Sequence, residues 1–313
     1  MRQRANFAAN QKQWVMKANW MTICTLISAM FVLLQGCQTE QGAAKKEIEA
    51  LEAALSTAFD PVKADTLLAR YDAYAIAYPQ DVETLAAFRL NGAKLLAAAE
   101  RQPQAAQELL KGLKLGATAS TRPSALLLAQ LYENHLDQTE AALTARQALA
   151  VIYPDAVALP AGEPNFLARM DVLLRQITVD STGNLNFKAA GVYMTNAEVY
   201  AAIAGNDDVA PQVLYKAAEV ARAVRSYQKA LVFYAWLSDR YPSDEHAAKA
   251  LFMQAFTYDE DLNDDEKARQ YYQTFLERYP NDDFADDAAL LIENLGKTEE
   301  EIIKQLEQKA AGQ

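Results

Sequence analysis

The sequence predicts an all-α chain built from repeated helix–turn–helix units, and three observations carry that reading. One block is written twice, as SYQKALVFYAWLSDRYP over 226–242 and DEKARQYYQTFLERYP over 265–280. In the two copies Lys229-Ala230 falls on Lys267-Ala268, Tyr234 on Tyr272, Leu237 on Phe275, and Tyr241-Pro242 on Tyr279-Pro280, all at one constant offset. Within each copy the small and apolar residues recur at three and four, which is one face of a helix. Each copy then stops at Tyr-Pro, because proline lacks the N–H and pushes its predecessor out of the α region. The third observation is compositional. With 51% hydrophobic residues, only 11 glycines in 313 residues and few β-branched runs, the text favours helices over strands.

What precedes each copy is helical too. Leu214, Ala217, Ala218 and Ala221 share one stripe, and Leu251, Ala255 and Tyr258 another. The unit is therefore helix, short turn, helix, Tyr-Pro. It resembles the tetratricopeptide repeat, whose first helix carries a bulky residue, a small pair and an aromatic, and whose second carries Ala-x3-aromatic and a proline. Leu214-x2-Ala217-Ala218-x2-Ala221 with Ala230-x3-Tyr234 and Pro242 fits without a gap. Leu251-x2-Gln254-Ala255-x2-Tyr258 with Ala268-x3-Tyr272 and Pro280 fits with one extra residue in the inner turn. The resemblance implies a right-handed superhelix of such repeats. It is closest to bacterial lipid-anchored repeat proteins of the outer membrane, among them those of β-barrel assembly and of the Tol–Pal system. The lysine and asparagine set with which chaperone-binding members clamp a carboxylate is not seen in this sequence.

The amino terminus reads as a targeting segment. Residues 1–36 carry Arg2, Arg4, Lys12 and Lys17 and no acid. An apolar run from Met21 to Leu34 leads to Gln35-Gly36-Cys37, the layout of a secretory signal. Leu34-Gln35-Gly36-Cys37 resembles a bacterial lipobox, which implies lipidation of Cys37 after removal of 1–36. The alternative is a retained signal anchor, although the run is shorter than the ~20 residues of a spanning helix. Met16 would give the signal a more ordinary length. Acyl chains on Cys37 would hold the chain to a membrane. Gln38, which is not aspartate, favours by analogy the outer membrane of a bacterial envelope. Cys24 would be discarded with the signal, so no disulfide framework is available.

The mature chain then reads in order. Residues 37–45 form a polar tether. Residues 46–154 form degenerate amino-terminal repeats. A leucine–alanine stripe runs from Lys46 to Ala58, and Asp60-Pro61 starts a helix that carries Tyr71 and Tyr74 and ends at Tyr78-Pro79. Phe88, Gly92 and Leu95 match a first helix, with Ala105 and Leu109 on a second that Gly116 and Pro123 break. Ala125, Leu128, Ala129 and Tyr132 open another unit, completed by Ala141, Ala145 and Ala148 and ending at Tyr153-Pro154. Residues 155–186 interrupt the pattern as a linker with one helix, Phe166 to Ile177, and a turn at 180–184; a short hairpin from Ile177 to Phe187 is the alternative. This interruption is the expected hinge between two blocks. Residues 187–296 hold the carboxy-terminal repeats. Gly296 closes their last helix, and Thr298-x-x-Glu301 opens a charged capping helix over 297–313.

Charge and motifs narrow the function. The net charge is −11, and all basic excess lies in the targeting segment, so nucleic acid is not an expected partner. No catalytic motif, phosphate loop or dinucleotide fingerprint occurs, and His135 and His246 lie in separate units. No enzyme activity and no cofactor are expected. Asp259, Asp261, Asn263 and Asp265 alternate like a calcium loop, but Asp264 stands where that loop needs glycine and Gln270 where it needs glutamate. Helix capping by Asp264 and Asp265 is the better reading, and no metal is expected. Function then rests on a surface built from first helices. The predicted partner-binding residues are Tyr215, Lys216, Glu219 and Arg222 beside one buried stripe, and Phe252, Phe256 and Asp259 beside the next. Packing of Phe252 and Phe256 against neighbouring units is the alternative. The expectation is an envelope scaffold binding other envelope proteins. A glycan- or peptidoglycan-binding lipoprotein, which would need exposed aromatics in a groove outside the repeat core, is the other.

Overall fold

The computed structural model describes residues 39–116, 118–155, 157, 159, 161–178, 184–298, 300, 301, 303, 304, 307 and 308. Residues 1–38, with the expected targeting segment and Cys37, lie outside the described residues. What is described is all-α and repetitive, and falls into two compact units, one ending at Arg101 and one beginning at Gln102.

The first unit contains a helix over 39–57 (α1), then α2 (Pro61–Ala77) and α3 (Val82–Ala98). Asp60 caps α2 by accepting from the Lys63 amide at 2.9 Å, and Pro61 opens its first turn. Tyr71 and Tyr74 are buried, with Tyr71 stacked on Phe88 at 5.7 Å. The Tyr71 ring requires Gly92, since a Cβ there would lie 2.6 Å from its Cε2. The polar tether expected over 37–45 is, from Thr39 onward, the first two turns of α1. Gln41 and Lys45 both reach Asp81 at 2.7 Å, so this polar text is fixed by a partner two helices away.

The second unit holds α4 (Gln102–Lys114), α5 (Thr118–Asn134), α6 (Thr139–Ile152), α7 (Phe166–Ile177), α8 (Phe187–Ile203), α9 (Val209–Ala223), α10 (Tyr227–Arg240), α11 (Ala247–Phe256), α12 (Asp265–Arg278) and α13 (Ala285–Asn294). Pro123 does not break the chain where expected. It sits in the second turn of α5, where few intrahelical bonds precede it. First helices begin at Val209, Ala247 and Ala285, and second helices at Tyr227 and Asp265, so the offset between the copies in the sequence is the period of the fold.

The region 155–186 does not separate two blocks. It supplies α7, which packs on α8, while α6 and α4 pack directly on α8 as well. Arg169 of α7 is buried and donates to Gln147 Oε1 at 2.8 Å, to Thr144 Oγ1 at 3.2 Å and to the Glu140 carboxylate. Thr144 bonds Asn196 of α8, and Phe166 stacks on Tyr200 at 3.9 Å. The reason lies in α8, which is buried on nearly every side and so must be covered from three directions. After α7, Thr178 and Leu185 form an isolated antiparallel bridge and the Asn186 amide donates to the Ile177 carbonyl at 2.7 Å, which pairs the two described ends of the alternative hairpin; of the turn expected at 180–184, residues 180–183 lie outside the described residues.

At the far end Gly296 adopts φ 76° after α13, as the C-cap reading requires. Thr298 and Glu301 then form a reciprocal capping box, the Thr298 amide donating to Glu301 at 2.8 Å and the Glu301 amide to Thr298 Oγ1 at 3.3 Å. No helix among the described residues is long and apolar enough to cross a membrane.

Candidate partner-binding cleft

Two repeats meet where α9 and α10 stack on α11 and α12, and the seven predicted surface residues all fall in this region. The structure treats them differently. Tyr215 is only 6% exposed, packed between Tyr234 at 6.1 Å and His246 at 5.1 Å, with the Lys249 ammonium 5.2 Å from its ring centre. The expectation that Tyr215 lies beside the buried stripe is wrong. Helix α9 is covered by both α8 and α10, so its buried arc widens to include Val213, Tyr215 and Val220. Phe252 is 7% exposed and sits among Tyr272, Phe275 and Phe284. It packs against neighbours, as the alternative holds.

The remaining five are partly exposed. Lys216 pairs with Glu219 at 2.5 Å. Phe256 lies under the Arg222 guanidinium at 4.9 Å. Asp259 accepts from the Tyr272 hydroxyl at 3.3 Å, and burial raises its pKa above the ordinary aspartate value.

Arg222 and Glu219 line a cleft of about 390 Å³ with Ala223, Arg225, Tyr227, Tyr234, Met253 and Asp261. Residues from two consecutive units thus share one opening. Its far wall is made by a π-helical turn, Thr257–Asp261, that continues α11. The stretch from Leu251 to Ala268 is longer by one position than the stretch from Leu214 to Ala230. The extra residue expected in the inner turn is absorbed one step earlier, as a widened helical turn. That turn carries the Asp261 carboxylate to Arg222 Nε, tying one unit to the previous one.

The near wall ends on Arg225, which holds φ 59°. Its left-handed backbone closes α9, with the Ser226 amide returning to the Ala221 carbonyl at 2.8 Å. Asn263, at the equivalent place in the next unit, does the same at φ 51°. The exposed Arg225 side chain makes no ion pair among the described residues. Tyr234 lines the same cleft with its ring wholly buried, and its hydroxyl has no hydrogen-bond partner among the described residues. Burial, then the neighbouring Tyr215 and Glu219, push that hydroxyl's pKa upward, so it remains a neutral donor. The cleft therefore offers one unspent buried donor and one unspent cation at its rim, both suited to an acceptor or carboxylate.

Tyr234, Arg225, Tyr227 and Asp261 are not among the residues that the sequence singles out as a site. Tyr234 reads in sequence as core, which it is, and it also lines the cleft. Asp261 is visible as one of the alternating acids, and the structure gives it to Arg222. Asp264 caps α12, accepting from the Lys267 amide at 3.1 Å.

Residues 249–282, from α11 through α12 to the Tyr-Pro turn, match the tetratricopeptide repeat family. This stretch is a tetratricopeptide-like repeat. No curated protein matches the chain. Repeats of this kind generally mediate protein–protein contacts, and the matched stretch supplies the Met253 and Asp261 side of the cleft.

Proposed function

We propose that the chain is a non-catalytic interaction scaffold of the bacterial cell envelope, held at a membrane, the outer one by preference, by a lipidated Cys37. Its partners are other envelope proteins. A partner segment enters the cleft between the 209–240 and 247–278 units and places a hydrogen-bond acceptor on the Tyr234 hydroxyl and a carboxylate beside Arg225. The observation that carries this reading is an inter-repeat cleft lined by Tyr234, whose buried hydroxyl has no hydrogen-bond partner among the described residues. An unmet buried donor costs about 1–3 kcal/mol, which a partner would relieve. Glycan binding asks for exposed aromatic platforms outside the repeat core. At the apolar cleft beside α7, of about 440 Å³, Phe166 and Tyr200 are instead buried against each other.

In-cell photocrosslinking tests the proposal. A photoreactive residue at Tyr227 should give a discrete protein adduct that is lost with Arg225→Glu, whereas one at exposed Val232 on the same helix should not. Equal adducts at both positions would refute the cleft. Cys37→Ala should abolish acylation and release the chain from membranes. Retention of that variant with its apolar segment uncleaved would replace the lipid with a signal anchor.

A further inference from the structure

The end of the first unit that carries Thr39 is bolted down, and its surface is suited to a particular neighbour. The Gln41 amide donates to the Tyr74 hydroxyl at 2.9 Å and to Asp81 at 2.7 Å. Lys45 reaches Asp81 at 2.7 Å and Thr84 at 3.1 Å, and the Tyr74 hydroxyl donates to Asp81 at 2.6 Å. The start of α1 is thereby fixed to the end of α2 and the start of α3. Only Gln38 separates Cys37 from helical Thr39, a reach of about 7 Å at full extension. Either form of anchoring considered above, lipid on Cys37 or an apolar segment ending at Leu34, brings the lipid surface to this end.

We infer that the end of the first unit formed by Ile76, Tyr78 and Pro79 rests in the membrane interface as a second, non-covalent contact. Ile76 is 84% exposed although it is isoleucine. Residues 76–80 carry no charge, and the Tyr78 ring lies tilted against Tyr74 at 4.9 Å, leaving an amphipathic group beside the apolar one. Tyrosine and isolated apolar side chains are the groups that sit at the headgroup boundary. The carboxylate of Asp81 is spent on Lys45, and Glu40, which precedes Gln41 in α1, is exposed. The fitting surface is therefore zwitterionic lipid rather than anionic lipid. The opposite end of α2 carries Val62, 75% exposed. It lies about 21 Å from Ile76 along the helix axis, at the standard rise per residue.

This inference rests on the membrane anchoring proposed above, and one experiment separates the two. Full-length chain with Cys24→Ser and either Ile76→Cys or Val62→Cys is expressed, labelled with a polarity-sensitive fluorophore and reconstituted from membranes into phosphatidylcholine vesicles containing nitroxide-labelled lipid. The Ile76 probe should be quenched at least twofold more than the Val62 probe. A long Gly-Ser insertion after Gln38 should abolish the difference while the protein still floats with vesicles. Equal quenching at both sites in floating protein would overturn the interfacial contact and leave the anchor intact. Recovery of the chain in the soluble fraction would overturn the anchor and the contact together.

Discussion

Replacing Tyr234 by phenylalanine separates a core role from a binding role at a single atom. The ring is wholly buried and its hydroxyl has no partner among the described residues. Truncation to alanine removes the ring and should cost about 3–5 kcal/mol, as for other large core residues. Phenylalanine keeps the ring and removes only the hydroxyl. Since no bond is lost and a buried donor worth about 1–3 kcal/mol of unmet desolvation disappears, Tyr234→Phe should be neutral or stabilising. Tyr272 is the internal control at the same place in the next unit. Its hydroxyl donates to Asp259 at 3.3 Å, a long bond, so Tyr272→Phe should cost about 0.5–1.5 kcal/mol. Chemical denaturation followed by fluorescence reads this locally, because Trp236 is a near neighbour of Tyr234 in the chain and the other tryptophans, Trp14 and Trp20, fall in residues 1–36, ahead of the repeats. The midpoint of Tyr234→Phe should match or exceed wild type at unchanged slope, while the Tyr227 crosslink weakens. A loss of about 1.5 kcal/mol or more for Tyr234→Phe, the size of a full internal hydrogen bond, would mean that the hydroxyl is bonded inside the protein, and the cleft would lose its donor.

Three further outcomes follow from the geometry. Tyr215→Ala should destabilise by about 3–5 kcal/mol in denaturation, like Tyr234→Ala, because Tyr215 is core; a surface-like loss below about 0.5 kcal/mol would restore the exposed-face assignment. Asp81 lies in a site whose burial would raise its pKa, but hydrogen bonds from Lys45, Tyr74 and Thr84 and the Lys45 charge lower it to about 2 from 3.8. A depressed carboxylate pKa stabilises the fold above its unfolded value, and that contribution is lost as pH falls from about 4 to about 2. Allowing for partial exposure, about 1–2 kcal/mol is at stake. Hydrogen exchange of residues 39–57 should show Asp81→Asn less protected at pH 7 and converging with wild type by about pH 2. Deleting Glu260 should convert the π turn to regular α-helix and remove the Arg222–Asp261 bond. Arg222→Ala should then cost about 1 kcal/mol less in the deleted chain than in wild type, as a double-mutant cycle would measure.

The repeat architecture was legible because it is local. Ala230-x3-Tyr234 with Pro242, and the same text again at Ala268, Tyr272 and Pro280, specify helix length, buried face and stop within a few turns. Alanine faces such as Ala141, Ala145 and Ala148 carried the same information in the more degenerate units. What stayed illegible was non-local. Gln41 and Lys45 read as tether because their partner, Asp81, lies beyond the next helix. The 155–186 interruption read as a hinge because nothing near Arg169 announces that it will bond Glu140, Thr144 and Gln147. Tyr215 reads as solvent-facing because a stripe of four residues is the whole buried arc only for a helix covered on one side. Arg240 is the extreme case. Its guanidinium lies 2.9 Å and 2.7 Å from where Cβ atoms of Gly116 and Gly205 would fall, and it donates to the Lys114 carbonyl at 2.8 Å. Gly116 reads as a helix end, and both glycines are the space that lets α10 reach α4.

The candidate cleft has the same origin as these misses, a local irregularity whose consequence appears only on stacking. A strict copy of the 209–240 unit would set Leu251 and Ala268 one position closer together, and the helix would close without a widened turn. The additional residue forces a π turn, and the π turn delivers Asp261 to Arg222. Arg222 is thereby held over Phe256, and Asp261, an acceptor lining the same cleft, is spent on Arg222 rather than on the Tyr234 hydroxyl. Arg225, at the left-handed end of α9, is left without an acid of its own at the rim. Regular repeats bury their polar atoms in pairs. On the function proposed above, an inserted residue that spends one arginine on the neighbouring unit, with the next arginine and a buried hydroxyl unmatched among the described residues, is what would turn a packing seam into a place where another chain is received.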